Sequence, residues 1–291
     1  MSLATDTLLV VGADGLLGST LLEHARAQGR PALGTALAPR PGSTLLPLDL
    51  AALNDDWTPP PGCRSAVLCA AITSLEACRK DPTGTRQINV VQTLRLVRLL
   101  AASGIFVTFI SSNLVFDGTG PHVPANAAPQ PRTVYGRQKA EVEAGLSSLG
   151  PRAAVVRLTK VMHARWALFQ GWIQELRAGR TIQPFADFVC SPIPLPLVVR
   201  GLAEVATGRK SGIWQFSGDA DVSYAAIGRR LAQKLEANPA LVQPVTSRDR
   251  VSLEHNPAHT TLDASRARDE LGLVFPPALD AVDQAFESCV G

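Results

Sequence analysis

Through its first half the chain alternates short apolar runs with longer stretches in which apolar residues recur at helical spacing. The runs Thr7–Val11, Ala32–Thr35, Ser65–Ala70, Ile105–Ser111 and Ala153–Leu158 read as buried strands. The periodic stretches Leu16–Ala27, Tyr135–Leu149 and a segment around Ile88–Ala102 read as helices. Such alternation builds a parallel sheet covered on both faces, because each crossover helix buries its apolar stripe against the strands. The pattern predicts an α/β fold: a Rossmann-type doubly wound parallel sheet over residues 1–158, then a small C-terminal substrate-binding lobe over 159–291 with segments packing back on the first domain. Past Leu158 the alternation loosens. A helix is expected over Trp166–Ala178, a Pro-broken stretch over Ser191–Pro196 and a strand over Gly212–Ser217. Two closing helices follow near Ala264–Leu271 and Pro277–Cys289, the first capped by Asp263.

Composition narrows the partners. The 291 residues suffice for a two-part architecture. Lys and Arg number 28 against 25 Asp and Glu, a net charge of +3, too small and too scattered for a nucleic-acid surface and compatible with an anionic small ligand. The five cysteines, Cys63, Cys69, Cys78, Cys190 and Cys289, are odd in number and form no CxxC pair, so reduced thiols are expected, with neither a metal site nor a disulfide framework. A short polar lead without a basic region precedes Leu8, and no apolar run approaches the ~18 residues of a membrane span. A cytoplasmic protein without a membrane partner is expected.

Two segments carry candidate chemistry. Gly12-Ala13-Asp14-Gly15-Leu16-Leu17-Gly18 follows a strand and opens a helix, the setting in which backbone N–H groups and a helix N-terminus hold a pyrophosphate. Its spacing is GxxGxxG, not GxGxxG, and the plainer alternative is a turn shaped only for tight packing. No Asp or Glu ends the second strand. Gly34–Arg40 offers the Thr35 hydroxyl and the Arg40 guanidinium, which points to NADP, with NAD as the alternative; Arg40 reads equally well as a solvated loop charge. Asp49 and Leu50, after the next strand candidate, are placed against the adenine, and Cys69, Ala70 and Ala71 leave room for a ribose. Tyr135 and Lys139, four residues apart, share one helix face, where the ammonium could lower the phenol's pKa and let it act as acid or base toward a carbonyl oxygen. Ser112 would hold that same oxygen. A surface Tyr–Lys pair and a serine pair that merely ends a strand are the alternatives.

The GxxGxxG turn stands with Ala70-Ala71-Ile72-Thr73, Ile88-Asn89-Val90, Ser111-Ser112, Val115-Phe116-Asp117-Gly118, Tyr135 through Lys139 with Glu141 and Glu143, Val156-Arg157-Leu158-Thr159, and Ser191-Pro192. Over nearly its whole length the chain resembles the extended short-chain dehydrogenase/reductases, and within them the dTDP-4-dehydrorhamnose reductase-like proteins. The Val-Phe-Asp-Gly run is the most specific element and sets the resemblance apart from the epimerase branch. The resemblance implies a catalytic set of Ser112, Tyr135 and Lys139, a helix behind the site in which Asn89 helps position the lysine, and a homodimer through the helices near Ile88 and Tyr135. Asn113-Leu114 after Ser112 departs from the Asp-Glu of sugar-nucleotide dehydratases and from the Asp-Tyr of typical reductases. Lys160 stands where the family has a Trp, Cys190 where it has a Gly and Ile193 where it has a Thr. The candidate substrate contacts are Asn113, Lys160, His163 and Cys190.

The reading that follows is an NAD(P)-dependent oxidoreductase that reduces a carbonyl of a nucleotide-linked keto-sugar or related small molecule. Its rival is a cofactor-binding regulatory or scaffold subunit without turnover, and a sugar-nucleotide epimerase is disfavoured by the Val-Phe-Asp-Gly run. Lys160, His163, Arg165, Arg177 and Arg180 could meet a diphosphate, or be solvated charges. Trp166, Phe169 and Trp172 recur at helical spacing, which favours core packing over sugar stacking.

Overall fold

The computed structural model describes residues 6–247 and 254–290; the Cys289 side chain lies outside the described residues. The chain forms two compact units. One takes the described residues up to Phe116 with Ala128–Arg157 and Val199–Trp214. The other takes Asp117–Ala127, Leu158–Val198 and the described residues from Gln215 onward.

The first unit begins β1 (Thr7–Val11), α1 (Leu16–Ala27), β2 (Ala32–Ala36), β3 (Leu46–Pro47) and β4 (Cys63–Leu68). It continues with α2 (Leu75–Lys80), α3 (Pro82–Arg86), a π-helical stretch Gln87–Gln92, α4 (Thr93–Ala102), β5 (Phe106–Ser112), α5 (Val134–Ser147) and β6 (Ala153–Leu158). These strands and Gly212–Phe216 form one seven-stranded parallel sheet, with β3, β2, β1, β4, β5, β6 and the late strand side by side. In-register pairs such as Val10 with Gly34 and Val67, and Val67 with Thr108, run along its centre. The order reverses between β1 and β4, the switch point at which open α/β sheets bind ligands beyond the carboxyl ends of their strands. Every residue of β1 is buried, as are Ala66, Val67, Val107 and Phe109, and the helix residues Val97, Leu100 and Val142 close over one sheet face. Burial on both sides explains why these strands read as continuous apolar runs.

The helix that the periodicity predicts around Ile88–Ala102 is present, entered through the π-helical stretch and continued by α4, while α2 and α3 before it left no periodic signal. Ser74 caps α2, and Asp81 caps α3 with Pro82 in its first turn, so the chain restarts twice before the π-helical stretch runs into α4.

The second unit holds α6 (Ala167–Arg177), α7 (Leu195–Thr207), which crosses into the first unit at Val199, α8 (Tyr224–Lys234), α9 (Ser265–Leu271) and α10 (Ala278–Val290). Its core joins Phe169, Trp172 and Ile173 of α6 to Ile227 and Leu231 of α8 and to Val282 and Phe286 of α10. The packing role expected for Phe169 and Trp172 is therefore met. A short parallel pair sets Lys160 opposite Pro192 and Met162 opposite Pro194, and an antiparallel pair joins Val222 to Cys190. Asp263 is not the cap of α9. Ala264 holds that place, and Asp263 accepts the Ser265 N–H from one residue earlier at 2.9 Å. No described helix is long and apolar enough to cross a membrane.

A buried ion pair ties α5 to the sheet. The Arg157 guanidinium on β6 forks onto the Glu143 carboxylate of α5, with Nη2 to Oε2 at 2.7 Å and Nε to Oε1 at 3.1 Å. Ser111 on β5 donates its hydroxyl to Oε1. Arg157 is 1 % exposed and Glu143 8 %. Removing one partner leaves the other's buried charge without its counter-charge, which costs about 3–5 kcal/mol, whereas an apolar pair of similar shape comes close to neutral. Glu143→Leu should thus lower the urea midpoint sharply, and Glu143→Leu with Arg157→Met should recover much of the loss. Equal midpoints for wild type and the single variant would contradict this.

Candidate active site

The glycine turn is shaped from both sides. Gly12 has φ +80°, and a Cβ there would come 2.7 Å from the Ala70 amide nitrogen. A Cβ on Gly18 would collide with the Gly12 carbonyl oxygen, so this glycine is what lets α1 lie against the turn. Gly15 differs. Its backbone is extended, and a Cβ would meet only the Gly12 carbonyl, at 3.5 Å. Internal packing does not require a glycine there. Gly15 is the N-cap of α1, no side chain caps the helix and no acidic residue occupies its first turn, so its amide donors face outward uncompensated.

That end of the helix opens on a cavity of about 450 Å³, lined among others by Gly12, Asp14, Gly15, Asp49, Leu50 and Ala70. Ala71, Cys69 and Ile88 complete its far wall, and the exposed Leu37 stands at the end of β2. Of the sequence candidates, Gly12, Asp14, Gly15, Asp49, Leu50, Ala70 and Ala71 share this one space. Leu16, Leu17 and Gly18 form the adjoining first turn of α1, and Arg40 sits in the exposed loop after β2, outside the walls. The Thr35 side chain lines the same cavity. It is buried and accepts the Gly12 N–H at 3.4 Å, while the Thr35 carbonyl takes the Ala13 N–H at 2.7 Å, so β2 braces the turn.

Ser112, Asn113, Tyr135 and Lys139 gather at the carboxyl end of β5. A side chain on Gly136 would collide with the Leu114 carbonyl, so glycine brings the first turn of α5 directly onto the turn that follows Ser112. Thr133 caps that helix by accepting the Gly136 N–H at 3.0 Å. The Ser112 hydroxyl donates to Asn113 Oδ1 at 3.3 Å and accepts the Leu114 N–H at 3.2 Å. Lys139 Nζ donates to the Ile110 carbonyl at 2.8 Å and lies 4.5 Å from the Phe109 ring centroid and 5.5 Å from that of Tyr135. Burial lowers the Lys139 pKa to about 8. Burial, with Cys78 nearby, raises that of Tyr135 above the usual phenol value. Burial thus outweighs the lowering of the phenol by Lys139 that the sequence suggests: the ammonium donates to the Ile110 carbonyl, and desolvation keeps Tyr135 protonated.

Asn89 reaches the helix of Lys139 through the neighbouring Gln138. Its carboxamide accepts the Ile72 N–H at 2.8 Å and donates to the Ile72 carbonyl at 2.9 Å and to Gln138 Oε1 at 2.8 Å. It thereby pins the cavity wall at Ile72 to the residue before Lys139 and does not touch the lysine. Gln92, one turn on in the π-helical stretch, donates to the Ala51 carbonyl at 3.2 Å and holds a second wall. Gln92, Gln138 and the bracing role of Thr35 escape the sequence reading, because buried amides and hydroxyls that serve backbone loops leave no spacing signal. In the second unit, Lys160 lies over the Trp166 ring at 4.0 Å, His163 Nδ1 is buried, and burial pushes the Cys190 thiol up to about 12, which keeps it neutral.

The RmlD substrate binding domain family model matches residues 6–290. The chain belongs to this family. Among its relatives, the probable low-salt glycan biosynthesis reductase Agl14 of Haloferax volcanii is 25% identical, over 95% of this chain and 97% of the relative. Methionine adenosyltransferase 2 subunit beta of Xenopus laevis is 26% identical over 89% of this chain and 80% of the relative. The crystal structure of dTDP-4-dehydrorhamnose reductase from Bacillus anthracis, solved with NADP, has the same fold with a TM-score of 0.82 at 17% identity, covering 97% of this chain and 99% of that one. The resemblance carried by the sequence motifs is thus shown at the level of family, and the doubly wound sheet at the level of fold.

The three glycines of the RmlD-type turn should separate in stability measurements. Gly12→Ala and Gly18→Ala should each lose about 1–3 kcal/mol through forced repacking. Gly15→Ala, with open space at its Cβ, should stay within about 1 kcal/mol of wild type. Urea unfolding of the three variants checks the ordering, and a Gly15→Ala loss as large as that of Gly18→Ala would refute it.

Proposed function

We propose that the chain is a cytoplasmic, NADP-preferring reductase that converts a carbonyl of a nucleotide-linked keto-sugar or related small molecule to an alcohol. The observation that carries the reading is the open space at Gly15. A glycine that packing does not require borders a cavity at an uncapped helix N-terminus, which fits a pyrophosphate against backbone donors. The first-turn amides of Leu16, Leu17 and Gly18 would hold the phosphates where Gly12 and Gly15 let them approach the backbone, Ala70 and Ala71 would border a ribose, and Asp49 and Leu50 would meet the adenine. No carboxylate ends β2, where one would repel a 2′-phosphate, and Arg40 follows in an exposed loop that can supply a guanidinium. The NADP in the Bacillus anthracis structure supports the same choice.

When bound, the nicotinamide supplies the hydride. Tyr135 holds the proton that the carbonyl oxygen takes up, and its raised pKa keeps that proton in place until charge develops on the oxygen. Ser112 turns its hydroxyl from Asn113 to the same oxygen. Lys139, whose ammonium faces the Tyr135 ring, stabilises the phenolate left behind. Pairing of two copies through the helices near Ile88 and Tyr135 belongs to the proposal on the strength of the family resemblance.

The second reading, a cofactor-binding subunit without turnover, is favoured by the likeness over 89% of this chain to a methionine adenosyltransferase subunit and by the changed residues Leu114, Lys160 and Cys190. Tyr135→Phe separates the two. A panel of keto-sugar nucleotides should be reduced by the wild type, with the rate falling about 10²–10⁴-fold in the variant while NADPH affinity holds. Unchanged turnover in the variant would remove Tyr135 from its role, and cofactor binding without turnover of any carbonyl would favour the subunit.

A further inference from the structure

Lys160 and His163 are cationic or donor groups that lack the partners such groups normally find. Pairing with Pro192 and a bond from the Lys160 N–H to the Ser191 carbonyl at 3.0 Å fix the backbone of Lys160. Its half-buried ammonium has no ion pair or hydrogen bond among the described residues and rests 4.0 Å from the centroid of the Trp166 ring. A ring face recovers only part of the hydration that a half-buried ammonium gives up. Three residues on, His163 Nδ1 is fully buried without a hydrogen-bond partner, the kind of orphan that a native structure retains for a ligand, ion or water.

The charges around the pair point the same way. Arg165 stands beside His163 and with Lys160 makes the neighbourhood positive. Asp221, the acidic residue whose charge reaches Cys190, is already engaged: one oxygen accepts the Thr260 N–H at 2.8 Å and the other faces His259 Nδ1 at 3.3 Å. Beyond Trp166 the wall continues with Tyr224, edge-on at 5.7 Å, and Phe188, 5.0 Å from Tyr224. An ammonium offers three donors and no acceptor, and an imidazole whose Nδ1 carries the proton donates there as well. The matching ligand group is acceptor-only and negatively charged, next to an apolar body that lies on rings.

We infer that Lys160 and His163, beside the Trp166 ring, form a subsite for an oxyanion of the ligand, either a carboxylate or a phosphate. The inference deepens the reductase reading by setting an anionic group of the substrate against Lys160 and His163, and rests on that reading only in calling the ligand a substrate.

Glucuronate, pyrophosphate and, as the uncharged control, glucose are titrated by calorimetry into the full chain saturated with NADPH, which occupies the glycine turn, with tryptophan emission followed in parallel. The wild type should bind at least one anion tenfold or more tighter than glucose. Lys160→Met should weaken that anion at least tenfold, Lys160→Arg should restore most of the affinity, and NADPH binding should be the same in all three. Preference for glucuronate assigns a carboxylate, and preference for pyrophosphate assigns a phosphate. Equal anion affinity in wild type and Lys160→Met, or no anion tighter than glucose, overturns the subsite. Failure of the wild type to bind NADPH would instead count against the reductase reading and leave the anion result to stand by itself.

Discussion

One buried carboxylate holds the candidate catalytic groups in register. Glu143 takes the Arg157 fork from β6 and the Ser111 hydroxyl from β5, and it sits one helical turn beyond Lys139 and two beyond Tyr135 on α5. Ser111 is the neighbour of Ser112. The carboxylate therefore joins the strand that presents the serine to the helix that presents the phenol and ammonium. Gly136 against Leu114 closes the same joint at its other end. Neither contact involves a ligand, so the arrangement of Ser112, Tyr135 and Lys139 is a property of the folded chain.

A second joint shapes the cavity at the switch point of the sheet. Thr35 braces the glycine turn from β2, the Ala70 backbone limits Gly12, and Asn89 and Gln92 hold the walls at Ile72 and Ala51. A π-helical stretch supplies both amides. The wider turn of such a stretch shifts side-chain directions, and it recurs at functional sites for that reason.

How much of this could be read from the sequence followed burial. Strands covered on both faces, such as Thr7–Val11 and Ala153–Leu158, show as unbroken apolar runs and match the structure residue for residue. The helices α7 and α8 do not announce themselves: α7 begins in a proline-rich stretch, and the buried face of α8 is made largely of the small residues Ala225, Gly228 and Ala232 beside Ile227 and Leu231. The glycine turn and the Tyr–Lys pair were legible because backbone approach and helix geometry demand residue types at set spacings. The roles of Thr35, Asn89 and Gln138 depend on partners 17 to 49 residues away, and no local pattern encodes them. The electrostatics were least legible, since burial, which raises Tyr135 and lowers Lys139, is decided by the whole fold.

The central claim is that the turn from Gly12 to Gly18 is built around a dinucleotide pyrophosphate, with Gly15 the residue that gives way to it. The most direct measurement is a titration of wild type and Gly15→Ala with NADPH and NADH, followed by transfer of tryptophan fluorescence to the reduced nicotinamide. Wild type should bind NADPH more tightly than NADH, and Gly15→Ala, though folded, should lose most of that affinity. A folded wild type that binds neither nucleotide, or a Gly15→Ala variant that binds NADPH as well as wild type, would contradict it.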